Sequence, residues 1–317
     1  MSTDLAPLPA SDLALAADYA RQALSPATLA AYRADWEDFS AWCHGRGVSA
    51  LPADPRTVAA YLSAHAVSHA RATHRRRLAA IGRAHRMKGI AWMPTHPAIR
   101  DTLAGIFRRH GTPARRAAAL GTDELKRLIA ACGNDLTGRR DRALLLLGFA
   151  GALRRSELVA IEREHLTFAA DGLRLLIPRS KGDQEGEGAE IGVPRGLKPD
   201  TCPVRAVEEW LRASETRYGP VFRKVNMWGG IEHEALRPNA VRFILARRVA
   251  QAGLSAAGIE RLSPHSLRAG FVTVAYNGGA KDEAIMAHTR HKDHRTMRGY
   301  VRRASLVGES PAKLLGL

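Results

Sequence analysis

The sequence predicts a two-domain, mainly α-helical protein with a small antiparallel β-sheet in its second half. Three observations carry this expectation. The chain has 317 residues, enough for two domains of ordinary size. A residue followed by proline recurs at Ser25-Pro26, Asp54-Pro55, His96-Pro97, Cys202-Pro203 and Ser263-Pro264. Proline suits the first position of a helix, and Ser or Asp before it can cap the free N–H groups there. Between residues 166 and 194, alternating or apolar runs flank an Asp171-Gly172 turn, the pattern of short antiparallel strands.

In chain order, residues 1–19 are expected to be a flexible arm and residues 20–110 a helical domain. After Ser25-Pro26, the side chains of Leu29, Tyr32, Trp36, Phe39 and Trp42 recur at three- and four-residue spacing until Gly45 and Gly47. These aromatics are read as core, not as platforms for bases. A second helix runs from Asp54-Pro55 to about Ala66, a third from about Ser68 to Met87, and a fourth from His96-Pro97 to about Arg109. The third carries Arg75, Arg76, Arg77, Arg83, Arg86 and Lys88, while Ala80, Ile81 and Ala84 can face the core. That basic face is expected to meet phosphates. Residues 111–119, with a glycine, a proline, Arg115 and Arg116, read as a basic linker that is also expected to meet phosphates.

The second domain is expected over residues 120–317. Thr122 is read as an N-cap, with Glu124 and Leu125 in the first turn. Asp141 to Ala150 is a buried helix that leads straight into Gly151-Ala152-Leu153-Arg154-Arg155-Ser156-Glu157-Leu158. A charge placed there needs a partner. The sheet follows, with Lys181 in the loop after the strand LRLLIP. A helix from Cys202-Pro203 to about Ala213 precedes a short strand or turn at 218–222 and a loop over 223–236. The helix from Asn239 to Ala252 carries Arg242, a further candidate DNA contact.

Composition narrows the partners. Lys and Arg number 48 against 31 Asp and Glu, a net charge of +17 shared by both halves, so an acidic polymer is the expected partner. An Arg- and Ala-rich bias would carry the same charge, so charge alone does not decide. Cys43, Cys132 and Cys202 are too dispersed for a metal site or a disulfide framework. No signal peptide or membrane span is read: the first residues are acidic, and the longest apolar run, near Leu144–Leu153, is short.

The chemistry concentrates between Leu262 and Val301. His265 and Arg268 share one face of the first turn of a helix begun by Ser263-Pro264, where free N–H groups and the helix dipole favour an anion. His291 follows, and Tyr300 comes nine residues later. Two imidazoles, a guanidinium and a phenol around one anion make a phosphoryl-transfer set with an oxygen nucleophile.

This set resembles the tyrosine recombinase, or phage integrase, family: His-x-x-Arg, then His or Trp, then a nucleophilic Tyr about nine residues on. The segment Gly151–Leu158 is similar to the family's Gly-Leu-Arg-x-Ser-Glu-Leu box, with Ala152 where the family usually has Gly, and Arg290 stands where many members have Gly before the histidine. The pattern Tyr32, Asp35, Phe39, Trp42 with Thr73, His74 and Arg76 resembles the family's core-binding domain. The resemblance implies a four-helix core-binding domain and an α+β catalytic domain closing as a C-shaped clamp on DNA. It implies a site-specific recombinase that cuts and rejoins strands through a 3′-phosphotyrosine and a Holliday junction, with neither ATP, metal nor cofactor. Arg154, Arg268 and His291 would bind the phosphoryl oxygens, Lys181 protonate the leaving 5′ oxygen, His265 assist proton transfer from the nucleophile Tyr300, and Glu157 support the site. Arg295, Arg298, Arg302 and Arg303 would flank the scissile strand. The implied partners are double-stranded DNA with an inverted-repeat site and three further copies of the chain, a dimer per site, in the bacterial cytoplasm at the nucleoid. A C-terminal helix with Leu314, Leu315 and Leu317 would dock on a neighbour or pack on its own subunit. Two alternatives stay open: a type IB topoisomerase-like relaxing enzyme, or a DNA-binding protein with a silent site.

Overall fold

The computed structural model describes residues 9–111, 117–178, 187–254, 262–304 and 315. It divides into two compact units, Met1–Arg115 and Arg116–Leu317.

The first unit is built from helices α1 (Ala10–Gln22), α2 (Pro26–His44), α3 (Pro55–Ala64), α4 (Arg71–Met87) and α5 (Pro97–His110). The proline signals mark true starts. Ser25 Oγ accepts from Thr28 N–H at 3.3 Å, Asp54 Oδ1 from Arg56 N–H at 2.7 Å and His96 Nδ1 from Ala98 N–H at 3.2 Å, each with proline inside the first turn. Helix α2 packs on α4 and α3 on α5, around Phe39, Tyr61, Leu62, Ile81 and Ile99. Phe39 meets Tyr61 edge-on with ring centroids 4.9 Å apart. The flexible arm expected over 1–19 is corrected here: from Ala10 it is α1. Its alanine-rich sequence favours helix, with Asp12 at the positive end. Leu13, Leu15 and Tyr19 on it stay more than half exposed.

The second unit is organised on α7 (Leu136–Ala150), whose Ala143 to Leu147 are all buried. Around it pack α6 (Thr122–Ala130), α8 (Arg155–Val159), α9 (Pro203–Ala213) and α11 (Pro264–Asn277). Gly121, not Thr122, occupies the cap of α6: Glu124 Oε2 reaches back to accept the Gly121 N–H at 2.7 Å. Strands β1 (Leu166–Phe168), β2 (Gly172–Ile177) and β3 (Ala189–Pro194) form an antiparallel sheet in that order. Leu173 pairs with Val193 and Leu175 with Ile191, and these four side chains enter the core as the alternation requires.

A second correction concerns 223–236, expected as loop. It is a hairpin of β4 (Arg223–Val225) and β5 (Ile231–Ala235). Its strand Ile-Glu-His-Glu-Ala is too polar to announce itself. Asn226 closes the turn instead, its Oδ1 accepting from the N–H groups of Trp228 (3.0 Å) and Gly230 (2.8 Å). Helix α10 (Ala240–Gln251) follows. Last come α12 (Asp282–Thr289) and α13 (His294–Ala304), which share a small separate cluster of Val272, Ile285, Met297 and Val301 with α11. Gly270 lets α11 lie close to the start of the unit, since a Cβ there would stand 2.2 Å from the Leu120 carbonyl oxygen. No helix among the described residues is long and apolar enough to cross a membrane.

Candidate active site

Three helix ends meet in the second unit: the C-termini of α7 and α12 and the N-terminus of α11. Arg268, on α11, is 1% exposed. Its Nη1 donates to the Ala152 carbonyl at 2.7 Å, and its Nη2 donates to the Thr289 carbonyl. Both acceptors belong to chain leaving a helix, where carbonyls lack intrahelical partners and a cation is favoured. The turns that aim them are left-handed: φ is +47° at Ala152 and +59° at Arg290. These are the two positions at which the sequence departs from the family's glycines, and glycine is the residue that adopts such a φ without steric cost. His288 ties the two helix ends together, its Nε2 donating to the Ala150 carbonyl at 2.8 Å while its ring stacks on Phe271.

Arg154 caps α8. Glu157, in the first turn, folds back to accept the Arg154 N–H at 2.9 Å and its Nη1 at 2.6 Å. The second partner of Glu157 is Arg290, whose Nη2 donates to Oε2 at 2.9 Å and whose Nη1 donates to the His288 carbonyl at 3.0 Å. Burial would raise the Glu157 carboxyl, but the Arg154 hydrogen bonds and the nearby guanidiniums outweigh it and hold the group below its ordinary value. Burial, then Arg154 and Arg290, push Arg268 down to about 9, which leaves it charged at neutral pH. The Arg154 side chain keeps 24% exposure against 9% for Arg290, so Arg154 is the more open of the two partners of Glu157.

Tyr300 comes in on α13, which Met297 and Val301 anchor, with the Tyr300 ring partly buried against the same cluster. Asp293 starts that helix, accepting from the N–H groups of Arg295 (3.0 Å) and Thr296 (3.2 Å). The Tyr300 hydroxyl is hydrogen-bonded to Nε2 of the exposed His265. Ring centroids of His265 and His291 lie 5.6 Å and 5.9 Å from that of Tyr300. His291 is pushed down to about 3 by burial and then by Arg268, Arg154, His265 and Arg290, which leaves it neutral at neutral pH. Its Nδ1 lies 2.7 Å from Thr289 Oγ1.

Arg154, Glu157, His265, Arg268, His291 and Tyr300 therefore gather in one place, although Arg154 and Tyr300 are far apart in sequence. Lys181 lies outside the described residues, as do Arg115, Arg116, Leu314 and Leu317, and the side chains of Arg302 and Arg303. Arg298 is tied to Asp282 at 2.7 Å. On α4, Arg75, Arg86 and Lys88 are exposed and Arg83 is half-buried, while Arg242 on α10 is exposed. Arg77 is a correction to the expected phosphate face: 11% exposed, it turns inward to Asp38 and Tyr61. Arg76 spends two hydrogen bonds, 2.7 Å and 2.9 Å, on buried Asp35. Buried Asp35 on α2 required a partner, and the run of arginines on the facing helix supplied it, while Arg77 also pairs with the exposed Asp38.

Sequence reading missed the parts of His288, Thr289 and Arg290. Arg290 had a signal, a charged residue in place of a glycine. His288 and Thr289 had none: His288 reaches a carbonyl 138 positions away, and Thr289 bonds within its own helix turn and to His291, as an ordinary helical threonine can. Among the described residues, no group of three His, Cys, Asp or Glu side chains is placed to hold a metal ion.

The model of the phage integrase family matches residues 118–305. An integrase/recombinase XerD homolog of Selenomonas ruminantium is 36% identical over 289 residues, 89% of this chain and 83% of that protein. Tyrosine recombinase XerD of Caulobacter vibrioides is 30% identical over 286 residues, 86% of this chain and 85% of that protein. Among solved structures, the XerH site-specific recombinase bound to its palindromic difH substrate, a post-cleavage complex, shares the fold with a TM-score of 0.57 at 18% identity, covering 81% of this chain and 73% of its own. A lambda integrase tetramer bound to a Holliday junction does so with a TM-score of 0.57 at 16% identity, covering 87% and 72%.

Proposed function

The chain belongs to the phage integrase family and is a tyrosine recombinase, and on that premise we propose how its own residues cut and rejoin DNA. Tyr300 is the nucleophile. A phenol with an ordinary pKa near ~10 is almost wholly protonated at neutral pH. The hydrogen bond from Tyr300 to His265 gives its proton a path as Oη attacks phosphorus. Arg154 and Arg268 receive the charge that develops on the non-bridging oxygens, and His291 adds a hydrogen bond to the same oxygens. Lys181 protonates the departing 5′ oxygen. The bond formed is Tyr300 Oη to phosphorus and the bond broken is phosphorus to the 5′ oxygen, leaving a 3′-phosphotyrosine and a free 5′-hydroxyl. A 5′-hydroxyl, from the same strand or a partner, reverses the step. Because one phosphate ester is exchanged for another, no ATP is consumed. Glu157 positions Arg154.

Four copies act through a Holliday junction, a dimer on each inverted-repeat site, in the cytoplasm at the nucleoid. Arg75, Arg83, Arg86, Lys88, Arg115, Arg116 and Arg242 hold phosphates outside the scissile position, and Arg76 joins them through its exposed edge.

The observation that carries the reading is the hydrogen bond between Tyr300 and His265 beside a buried Arg268 and an open Arg154. Covalent capture tests it. Wild-type and Tyr300→Phe proteins are incubated with fragmented genomic DNA, quenched in detergent, and the protein-linked ends sequenced. Recurrent ends with inverted-repeat symmetry, found only with Tyr300, are expected. Scattered ends would point to a relaxing enzyme, and an adduct that survives in Tyr300→Phe would overturn the nucleophile.

A further inference from the structure

Thr289 is fully buried at the C-terminal end of α12, two residues before His291. Its hydroxyl has one proton and several neighbours. The Ile285 carbonyl lies 2.7 Å away and the Met286 carbonyl 3.5 Å away, and a carbonyl oxygen can only accept. The third neighbour is His291 Nδ1, at 2.7 Å. With the hydroxyl proton directed to Ile285, the oxygen faces Nδ1 with a lone pair, and a stable contact at that distance requires the proton to be on Nδ1. We infer that the Thr289 hydroxyl fixes His291 as its Nδ1–H tautomer, so that Nε2 enters the site as a proton acceptor. This is the reverse of the form favoured by free histidine, and it follows from the rule that the bond made by one ring nitrogen sets the state of the other.

The consequence for catalysis rests on the phosphodiester reading given above. A bare Nε2 and a non-bridging phosphate oxygen are both acceptors and repel. His291 therefore donates to phosphate only after Nε2 has taken a proton. Four of the groups facing the ring oppose that step: Arg268 from α11, Arg154 at the start of α8, Arg290 at the end of α12 and the imidazole of His265, with the Tyr300 ring of α13 beside them at 5.9 Å. An arriving phosphate brings the negative charge that offsets them. Nε2 then gains one proton that the solvent gives up, no bond to carbon or phosphorus changes, and DNA binding takes up a proton. Thr289 is a positioning residue, acting through His291.

Imidazole 15N spectra of the full-length, 15N-histidine-labelled protein read the tautomer directly, with His291 identified by the peaks that His291→Gln removes. At neutral pH without DNA, the expected pattern is a protonated Nδ1 and a bare Nε2. Thr289→Val should move the ring toward Nε2–H, and Thr289→Ser should keep the wild-type pattern. Strand cleavage should fall about 10- to 100-fold in Thr289→Val, the usual effect of removing an outer hydrogen-bond partner, and recover in Thr289→Ser. In a Tyr300→Phe background, DNA affinity should fall as pH rises when Thr289 is present, and the dependence should be flatter when Thr289→Val is added. An Nε2–H pattern in the wild type, or an unchanged tautomer in Thr289→Val, would overturn the inference while leaving the capture result above untouched. Conversely, a His291→Ala protein that cleaves at the wild-type rate would remove His291 from the site whatever its tautomer.

Discussion

Two buried carboxylates stand at opposite ends of α7, and their surroundings differ in one respect. Asp141, near the start, is completely buried and takes three guanidiniums: Arg140 at 2.7 Å, Arg247 at 2.6 Å and Arg248 at 2.7 Å. The side chains of Arg140 and Arg248 keep only 5% and 6% exposure, while Arg247 keeps 45%. Glu157, just past the other end, takes two guanidiniums, and one of them, Arg154, stays open to solvent. The first cluster is a clamp between α7 and α10. The second sets its more open arginine beside Arg268 and His291. The same residue types thus make a brace at one end and, on the reading proposed above, an anion site at the other.

Breaking the Asp141 clamp should have the largest effect. Asp141→Asn leaves three guanidiniums around a neutral amide, at a cost of about 3–5 kcal/mol. Denaturant melts should show this loss, with DNA binding and cleavage failing together because the scaffold fails. At the open site, Glu157→Gln should separate the two properties. Its stability cost is expected at about 1–3 kcal/mol, whereas single-turnover cleavage should fall about 10- to 100-fold through misplacement of Arg154, with DNA affinity little changed. If binding and cleavage fall in step, Glu157 is a brace like Asp141 and the contrast is lost.

Arg290→Gly sharpens the comparison further. Removing one partner of a buried pair costs about 3 kcal/mol, and glycine recovers about 1–2 kcal/mol of left-handed backbone strain. The net loss, measured by the same melts, is about 1–2 kcal/mol, with a cleavage defect smaller than that of Glu157→Gln. Acid should have the mildest effect at first. His74, His288 and His291 all lie below the ordinary imidazole value of 6.5, with burial the first cause. The unfolded chain binds those protons more readily. Their contribution is therefore complete above that ordinary value and is lost as pH falls below it. Glu157, held below its ordinary 4.5, keeps its contribution through that window and loses it only as pH falls through its folded value. Thermal melts from about pH 7 to about pH 3 should resolve two successive losses.

The contrast also marks what the sequence could reveal. Helix starts were legible because Ser25, Asp54, Cys202 and Ser263 each precede a proline, and capping is a local matter. The set Arg154, Glu157, His265, Arg268, His291 and Tyr300 was legible as an ordered pattern. What escaped depends on tertiary contact. Arg77 looks like its neighbours on α4 until Asp38 and Tyr61 are seen beneath it. Arg290 is 133 positions from Glu157. The left-handed turns at Ala152 and Arg290 could not be read from residues that seldom adopt them. The polar strand β5 exists because Asn226 closes a turn, not because its own residues alternate.

Helix α13, which carries the proposed nucleophile, draws its anchorage from the small cluster of Val272, Ile285, Met297 and Val301, apart from the large core under α7. Opening free energies within one protein follow the apolar surface each segment commits. Amide hydrogens of α13 should therefore exchange with deuterium well before those of α7. On the reading proposed above, the reacting oxygen then rides on a segment anchored apart from the core beneath α7, so a cell could inherit changes in when this enzyme cuts separately from changes in whether it folds.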